Sequence, residues 1–446
     1  MKVSFITLGC RLNQYEGVEM QELLEEKDLK IVPFPEKADI YVINTCTVTS
    51  KSDYDCRQTI RRAIRSNKEA FIVVTGCYPQ TNHGEIARLP GVDLILGNEE
   101  KLDIYDYLKR LGVIREDSRN RALKRGDPYI AVDRLLKGNK GVKSKEINRF
   151  QGHIKAFLKI QTGCNLNCSF CIVRLSRGHS RSEGIENIKR QVENLINRGF
   201  KEIVLSGINL GSYGRDLSPN AELSDLLKIL LNINGRFRIR LSSIGPREVS
   251  DKLIDIIASS ESICNHLHIP LQSGDDHILK KMRRDYDSRL YNNLIERLKK
   301  RIPDIGIGAD VMVGFPGETD KMFDNTYRFV KDLPITYLHV FTFSPRKGTD
   351  AFNLPDRIPK GIGKERSSLM KRLGREKSLE FRRCYLNKEL EVLIEESRDK
   401  DNGLLNGYSD NYIPIFLDGL DSLKNTLVKV KIMEIREEGI AIGEGL

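Results

Sequence analysis

No run of 18 or more apolar residues occurs in this 446-residue chain, which argues against a membrane-spanning helix. The opening residues, Met1-Lys2-Val3-Ser4-Phe5-Ile6, lead into a strand pattern and lack a signal-peptide cleavage region, so a cytoplasmic protein is expected. Nine cysteines without a secretion signal argue against a disulfide framework and leave thiols free for metal. Tryptophan is absent, and its absence excludes nothing. What is present, 39% hydrophobic and 30% charged residues, is the composition of a globular protein. The length suits about two to four domains. A formal charge of +11 fits an acidic partner such as nucleic acid, though alone this is a weak signal.

The most informative run is Gly163-Cys164-Asn165-Leu166-Asn167-Cys168-Ser169-Phe170-Cys171, a C-x3-C-x2-C. Cys164, Cys168 and Cys171 are close enough to hold three irons of a [4Fe–4S] cube. No fourth cysteine lies nearby, so one iron keeps an open coordination site. The bland alternative is a zinc site missing a ligand, but zinc pairs usually show two or four intervening residues and close with four ligands. The spacing resembles the signature of the radical S-adenosylmethionine (SAM) enzymes. That resemblance implies that the open iron chelates SAM and that an electron from the cluster cleaves it to a 5′-deoxyadenosyl radical.

The first ~110 residues alternate strands with helices, as read by the periodicity rules. Strands are expected at Lys2–Leu8, Asp39–Asn44, Phe71–Thr75 and Asp93–Leu96, with helices at Gln14–Lys27 and Ser52–Ser66. Such alternation implies a parallel, Rossmann-like sheet with helices on its faces. Cys10, Cys46 and Cys77 follow the first three strands, each beside small residues. Ligands of an open α/β sheet bind outside the carboxyl ends of its strands, so all three thiols should face one crevice. Buried structural thiols are the alternative reading. Cys56, Cys264 and Cys384 lack such a setting and are read as structural or without a role.

From Ile154 to Leu338 short apolar strands alternate with longer helices: Ala156–Ile160, Glu202–Ser206, Arg238–Ser242, His266–Pro270 and Gly308–Val313, with Tyr337–Phe343 as a sixth strand. Six strands suggest an incomplete (β/α)6 barrel, whose sites form at the carboxyl ends of strands. Candidate SAM contacts there are Ser206 and Gly207 after the second strand and Gln272 and Ser273 after the fourth. Ser242, Ser243 and the run Gly314–Thr319 are further candidates, and Phe170 lies inside the cysteine loop. Gly-rich loops often make only turns.

With the runs Thr7–Glu16 and Ile43–Thr49, the chain resembles the methylthiotransferases, and specifically the branch acting on N6-threonylcarbamoyladenosine at tRNA position 37. The resemblance implies two [4Fe–4S] clusters and SAM as cofactors, with the N-terminal cluster supplying or carrying the added sulfur. It implies methylthiolation of C2 of the adenine in the tRNA anticodon stem-loop. An electron donor such as flavodoxin or ferredoxin is expected, the sulfur donor is unknown, and a monomer without membrane contact is expected. The alternatives are N6-isopentenyladenosine in tRNA, a ribosomal-protein aspartate, or a non-catalytic iron–sulfur RNA-binding factor.

The expected division is a methylthiotransferase domain at 1–112, a basic linker at 113–150, a radical SAM core at 151–375 and a small β-barrel resembling TRAM at 376–446. Arg115–Arg149 holds 11 basic and 5 acidic residues, and Lys280–Arg301 holds 9 and 3. Glu376–Leu446 reverses this, with 10 basic and 15 acidic residues, so it is not a phosphate-binding surface as a whole. Tyr408 or Tyr412 is expected to stack on a base. Arg174, Arg177 and Arg181 read as a basic loop for an RNA phosphate or the SAM carboxylate.

Overall fold

The computed structural model describes residues 1–114, 126–133, 135, 142, 144–147 and 154–445. Its residues form two compact units that do not follow the chain in simple order. The first comprises residues 1–149, 162–181 and 344–349, so the C-x3-C-x2-C loop groups with the N-terminal sheet. The second comprises residues 150–161, 182–343 and 350–446.

The first unit is built on six parallel strands: β1 (Lys2–Thr7), β2 (Lys30–Val32), β3 (Ile40–Thr45), β4 (Phe71–Gly76), β5 (Leu94–Leu96) and β6 (Tyr129–Ala131), in the order β2-β1-β3-β4-β5-β6. The two edge strands, three residues each, were not expected from periodicity, and β6 lies inside the basic 113–150 segment. Every residue of β3 and β4 is buried, because helices cover both sheet faces. Strand alternation divides the core. Ile40 and Val42 pack with Met20, Leu24, Ile104 and Leu108 on one side. Tyr41 and Ile43 pack with Ile60, Ala63 and Ile86 on the other. The first helix starts at Arg11, earlier than expected, because Cys10 O already accepts its first helical bond from Gln14 N at 3.1 Å.

In the second unit, parallel strands Lys155–Lys159, Glu202–Ser206 and Arg238–Leu241 form one three-stranded sheet. His266–His268, Gly306–Val313 and Tyr337–Thr342 form another. The two are joined where Ile239 bridges Ile263 and where Ile244 N donates to His268 O at 3.0 Å. The result is the expected six-strand open barrel. Its wall buries Glu202 between Arg238 (Nε–Oε2 2.6 Å) and Arg240 (Nε–Oε1 2.9 Å).

The last five strands, Glu389–Ile394, Leu405–Ser409, Pro414–Leu417, Leu427–Ile435 and Ala441–Gly445, close into a small barrel. Its hairpin tip enters the larger barrel at the amino ends of the strands. Arg238 Nη2 donates to Tyr408 O at 2.7 Å, and Arg240 donates to Asp410 O at 2.8 Å and Ser409 O at 3.0 Å. Tyr412 stacks on Tyr408 (centroids 5.1 Å) and lies 4.5 Å from His266. These two rings are therefore committed to internal packing, which corrects the expectation that one stacks on an RNA base.

Burial opposes ionisation of Glu202, yet Arg240 and Arg238 prevail and hold its carboxyl well below the usual range. A depressed folded-state pKa contributes stability above the unfolded value of ~4.3 that is lost as pH falls below it. Glu202→Gln is expected to flatten that acid limb in urea-unfolding series. At pH 7 it should cost about 3–5 kcal/mol, because two buried guanidinium groups lose their counter-charge.

Candidate functional site

The loops after β1, β3 and β4 bring Cys10, Cys46 and Cys77 to the carboxyl edge of the first unit's sheet, at the side where strand order reverses between β1 and β3. Cys10 is the N-cap of helix Arg11–Glu25, and Cys77 opens helix Cys77–Ala87. Unpaired N–H groups at helix starts favour negatively charged sulfur. Cys10 is exposed, whereas Cys46 and Cys77 are buried. Burial pushes the Cys46 thiol up to about 11, so it keeps its proton until a metal displaces it.

The backbone around these thiols is shaped for close approach. Gly9 has φ +103°, and a Cβ there would lie 2.6 Å from Cys46 Cβ and 2.9 Å from its Sγ. Gly76, at φ +100°, faces Thr45 O and Asn44 Oδ1 in the same way, at 2.5 and 2.6 Å. Only glycine tolerates either position. Asn13 fastens two of the loops by donating to Leu8 O (2.8 Å) and Thr45 O (2.9 Å). Asn98 Nδ2 lies 3.7 Å from Cys77 Sγ. Three thiols with amide donors beside them fit an iron–sulfur cluster. Cys56 is a packing thiol that donates to Cys46 O at 3.3 Å, Cys264 is buried, and Cys384 is exposed.

Cys164, Cys168 and Cys171, all half-buried, lie in a loop folded back on itself in the same unit. Cys164 N donates to Gly178 O (3.0 Å), Cys171 N to Cys168 O (3.2 Å) and Leu166 N to Cys164 Sγ (3.4 Å). Phe170 is half-buried within it. This donor set likewise fits a cluster held by three thiolates.

Between these elements runs a buried charge network that sequence reading missed. Arg177 forms a two-pronged pair with Glu16 (2.8 and 2.9 Å) and donates to Asn13 Oδ1 at 2.5 Å. Lys101 Nζ meets the same Glu16 at 2.5 Å and Asn98 Oδ1 at 2.8 Å. Asn98 in turn donates to Ser176 O at 2.6 Å. Burial disfavours the charge on Arg177, but Cys77 and Glu16 outweigh it and the group stays firmly cationic. Arg181 is paired with Glu99 (2.5 and 3.1 Å). Arg177 and Arg181 are thus internal ties and not RNA contacts, and only Arg174 is exposed. A signal existed: Asn13 and Glu16 stand one helical turn apart on a face otherwise lined by buried residues.

The remaining candidates belong to the second unit. Ser206 is buried and its hydroxyl donates to Val204 O, while Gly207 N donates to Ser242 Oγ at 3.3 Å. Gln272 has φ +69° and bridges Val311. Ser273 is fully buried, with its hydroxyl 3.0 Å from Thr326 Oγ1, so it braces this loop and offers no open donor. Glu318 is a loop organiser too, accepting from Gly314 N (2.7 Å) and Arg366 (2.6 Å).

Two family models match the chain: the Radical SAM superfamily over residues 158–330 and the uncharacterized protein family UPF0004 over residues 2–97. The threonylcarbamoyladenosine tRNA methylthiotransferase MtaB of Aquifex aeolicus is 39% identical over 97% of this chain and 100% of its own length. The protein of that name from Bacillus subtilis is 37% identical over 97% of this chain and 94% of its own. Among solved structures, the radical SAM methyltransferase TsrM from Kitasatospora setae superposes with a TM-score of 0.56 over 79% of this chain and 77% of that one. At 14% identity that likeness concerns the fold alone. Among the described residues no helix is long and apolar enough to cross a membrane.

Proposed function

We propose that this chain, which belongs to the radical SAM methylthiotransferase family, adds a methylthio group to C2 of N6-threonylcarbamoyladenosine at position 37 of tRNA. The observation that carries this reading is full-length similarity to two proteins of that printed activity. When bound, two [4Fe–4S] clusters and SAM supply the electron, the adenosyl radical, the methyl group and the sulfur.

The residues of the chain do the rest. Cys164, Cys168 and Cys171 would hold the SAM-cleaving cluster by three thiolates, leaving one iron for SAM. Cys10, Cys46 and Cys77 would hold the sulfur-bearing one. Gly9 and Gly76 keep Cβ atoms out of its way, and Asn13 and Asn98 keep its loops in register. The Arg177–Glu16–Lys101 network ties the two cysteine-bearing segments through side chains that cannot exchange with water. Phe170, Ser206, Gly207 and Gln272 remain SAM contacts by proposal, and Ser273 acts through Gln272.

For tRNA, the Lys280–Arg301 segment offers an open groove lined by Arg247, Arg284, Arg289 and Arg297. Arg297 pairs with Asp251 at 2.7 Å, Arg247 with Asp285 at 3.8 Å, and Arg284 Nε donates to the Tyr286 hydroxyl at 3.1 Å, so a phosphate would share these groups with their present partners. The proposed working form is a cytoplasmic monomer reduced by a flavodoxin or ferredoxin.

The test is anaerobic turnover of reconstituted protein with anticodon stem-loops carrying either modified adenosine, read by nucleoside mass spectrometry. A gain of one methylthio group on the threonylcarbamoyl nucleoside is expected. Sulfur appearing on isopentenyladenosine alone would replace this reading by the other branch.

A further inference from the structure

Inside the larger barrel, above the hairpin that fills its lower end, lies a polar layer absorbed by none of the roles above. His268 closes its strand with Nε2 3.0 Å from Asp310 Oδ1. His339 places Nδ1 3.5 Å from the same oxygen. The two imidazoles face each other with centroids 5.0 Å apart. Asp310 and His339 are direct partners across adjacent strands, as are Met312 and Phe341 one step further up. Tyr337, His339 and Phe341 share a strand face by twofold alternation. The hydroxyl of Tyr337 touches His266 Nε2 (2.8 Å) and His268 Nδ1 (3.3 Å), which identifies that face as the interior one.

The layer is built, and it is open on one side. Tyr337 fixes the ring of His268 from below, leaving its other nitrogen for Asp310. Burial works against the Asp310 carboxylate, but hydrogen bonds from His268 and His339 overcome it and keep the acid ionised. His339, by contrast, is 55% exposed, and Phe341 above it is 42% exposed. A structural histidine pair would not leave one ring half in solvent beside an uncovered phenyl ring.

We propose that this layer is the binding site for the carboxylate of an amino-acid substituent on N6 of the target adenine, with His339 as the group that meets it and Phe341 offering its face to the base. This rests on the threonylcarbamoyladenosine reading. An alkyl substituent such as isopentenyl has no carboxylate to offer the exposed face of this imidazole, whose Nδ1 already faces Asp310. His339 is therefore a specificity-determining residue, and Asp310 and His268 are positioning residues that orient it.

The test uses the full, cluster-reconstituted chain, its His339→Gln and His339→Lys variants, and three stem-loop RNAs. One RNA carries threonylcarbamoyladenosine, one its carboxamide analogue, and one isopentenyladenosine. Wild type should prefer carboxylate to carboxamide by roughly 10-fold in KM, the scale of one charge-assisted hydrogen bond. His339→Gln should erase that preference by raising KM for the carboxylate RNA towards that for the carboxamide, and His339→Lys should restore part of it. Unchanged iron content and melting temperature separate this from a folding defect. An undiminished carboxylate preference in His339→Gln overturns the inference. So does a stoichiometric divalent ion, beyond cluster iron, that wild type retains and His339→Gln loses, because two histidines and a carboxylate also make a metal donor set. Failure of wild type to modify the threonylcarbamoyl RNA while modifying the isopentenyl one would instead overturn the reading on which the inference rests.

Discussion

Cys46→Ala is expected to reduce methylthio transfer to background while cleavage of SAM to 5′-deoxyadenosine continues, and Cys164→Ala is expected to stop both. The two thiols lie on separate loops, one after β3 and one between Gly163 and Gly178, and each loop has its own backbone closure. Alanine offers no lone pair to iron, so each change removes one anchor from one cluster. Iron per chain should fall from about eight towards about four in either variant, as for two four-iron clusters. Chromatography of 5′-deoxyadenosine and mass spectrometry of the nucleoside report the two activities separately. Sustained transfer by Cys46→Ala would sink the assignment of Cys10, Cys46 and Cys77 to a sulfur-bearing site.

Arg177→Met should give a large loss of stability, comparable to that of Glu202→Gln. The guanidinium is buried and makes hydrogen bonds to Glu16, Asn13 and Thr162. Its removal takes the two-pronged partner from Glu16, which keeps Lys101, and removes the donor to Asn13 Oδ1, the residue that steadies the Cys10 and Cys46 loops. Breaking a buried pair costs about 3–5 kcal/mol, and the surviving Lys101 contact places the expected loss near 3. Arg177→Lys should recover only part of it, since an ammonium cannot reproduce the two-pronged geometry. Urea unfolding of the metal-free chain measures the loss directly. A change under about 0.5 kcal/mol, the scale of an exposed pair, would mean that the network is decorative.

Much of this architecture was legible before any coordinates. The three strand-end cysteines could be brought together on paper because βα alternation dictates where strand ends lie, whatever the sequence distance. The six barrel strands were legible for the same reason. What escaped was anything decided by long-range burial. Arg177 looked like a ligand for phosphate because its neighbours, Arg174 and Arg181, are basic. Its real partner stands 161 positions earlier in the chain. Tyr408 and Tyr412 looked like stacking platforms because they are aromatics in a small barrel module, and nothing local announces that their hairpin enters another barrel. The strands β2 and β6 are too short for a period to register.

That hairpin makes the last sixty or so residues a stopper and not an appendage. A chain cut before Leu405 would not simply lose a module. Water would enter the larger barrel from beneath and reach Arg238, Arg240 and the Glu202 between them, the two arginines having lost backbone partners with the cut segment. The floor on which His266 and Tyr337 rest would go with it. Selection for an intact lumen and selection for an intact tail are, in this protein, the same selection.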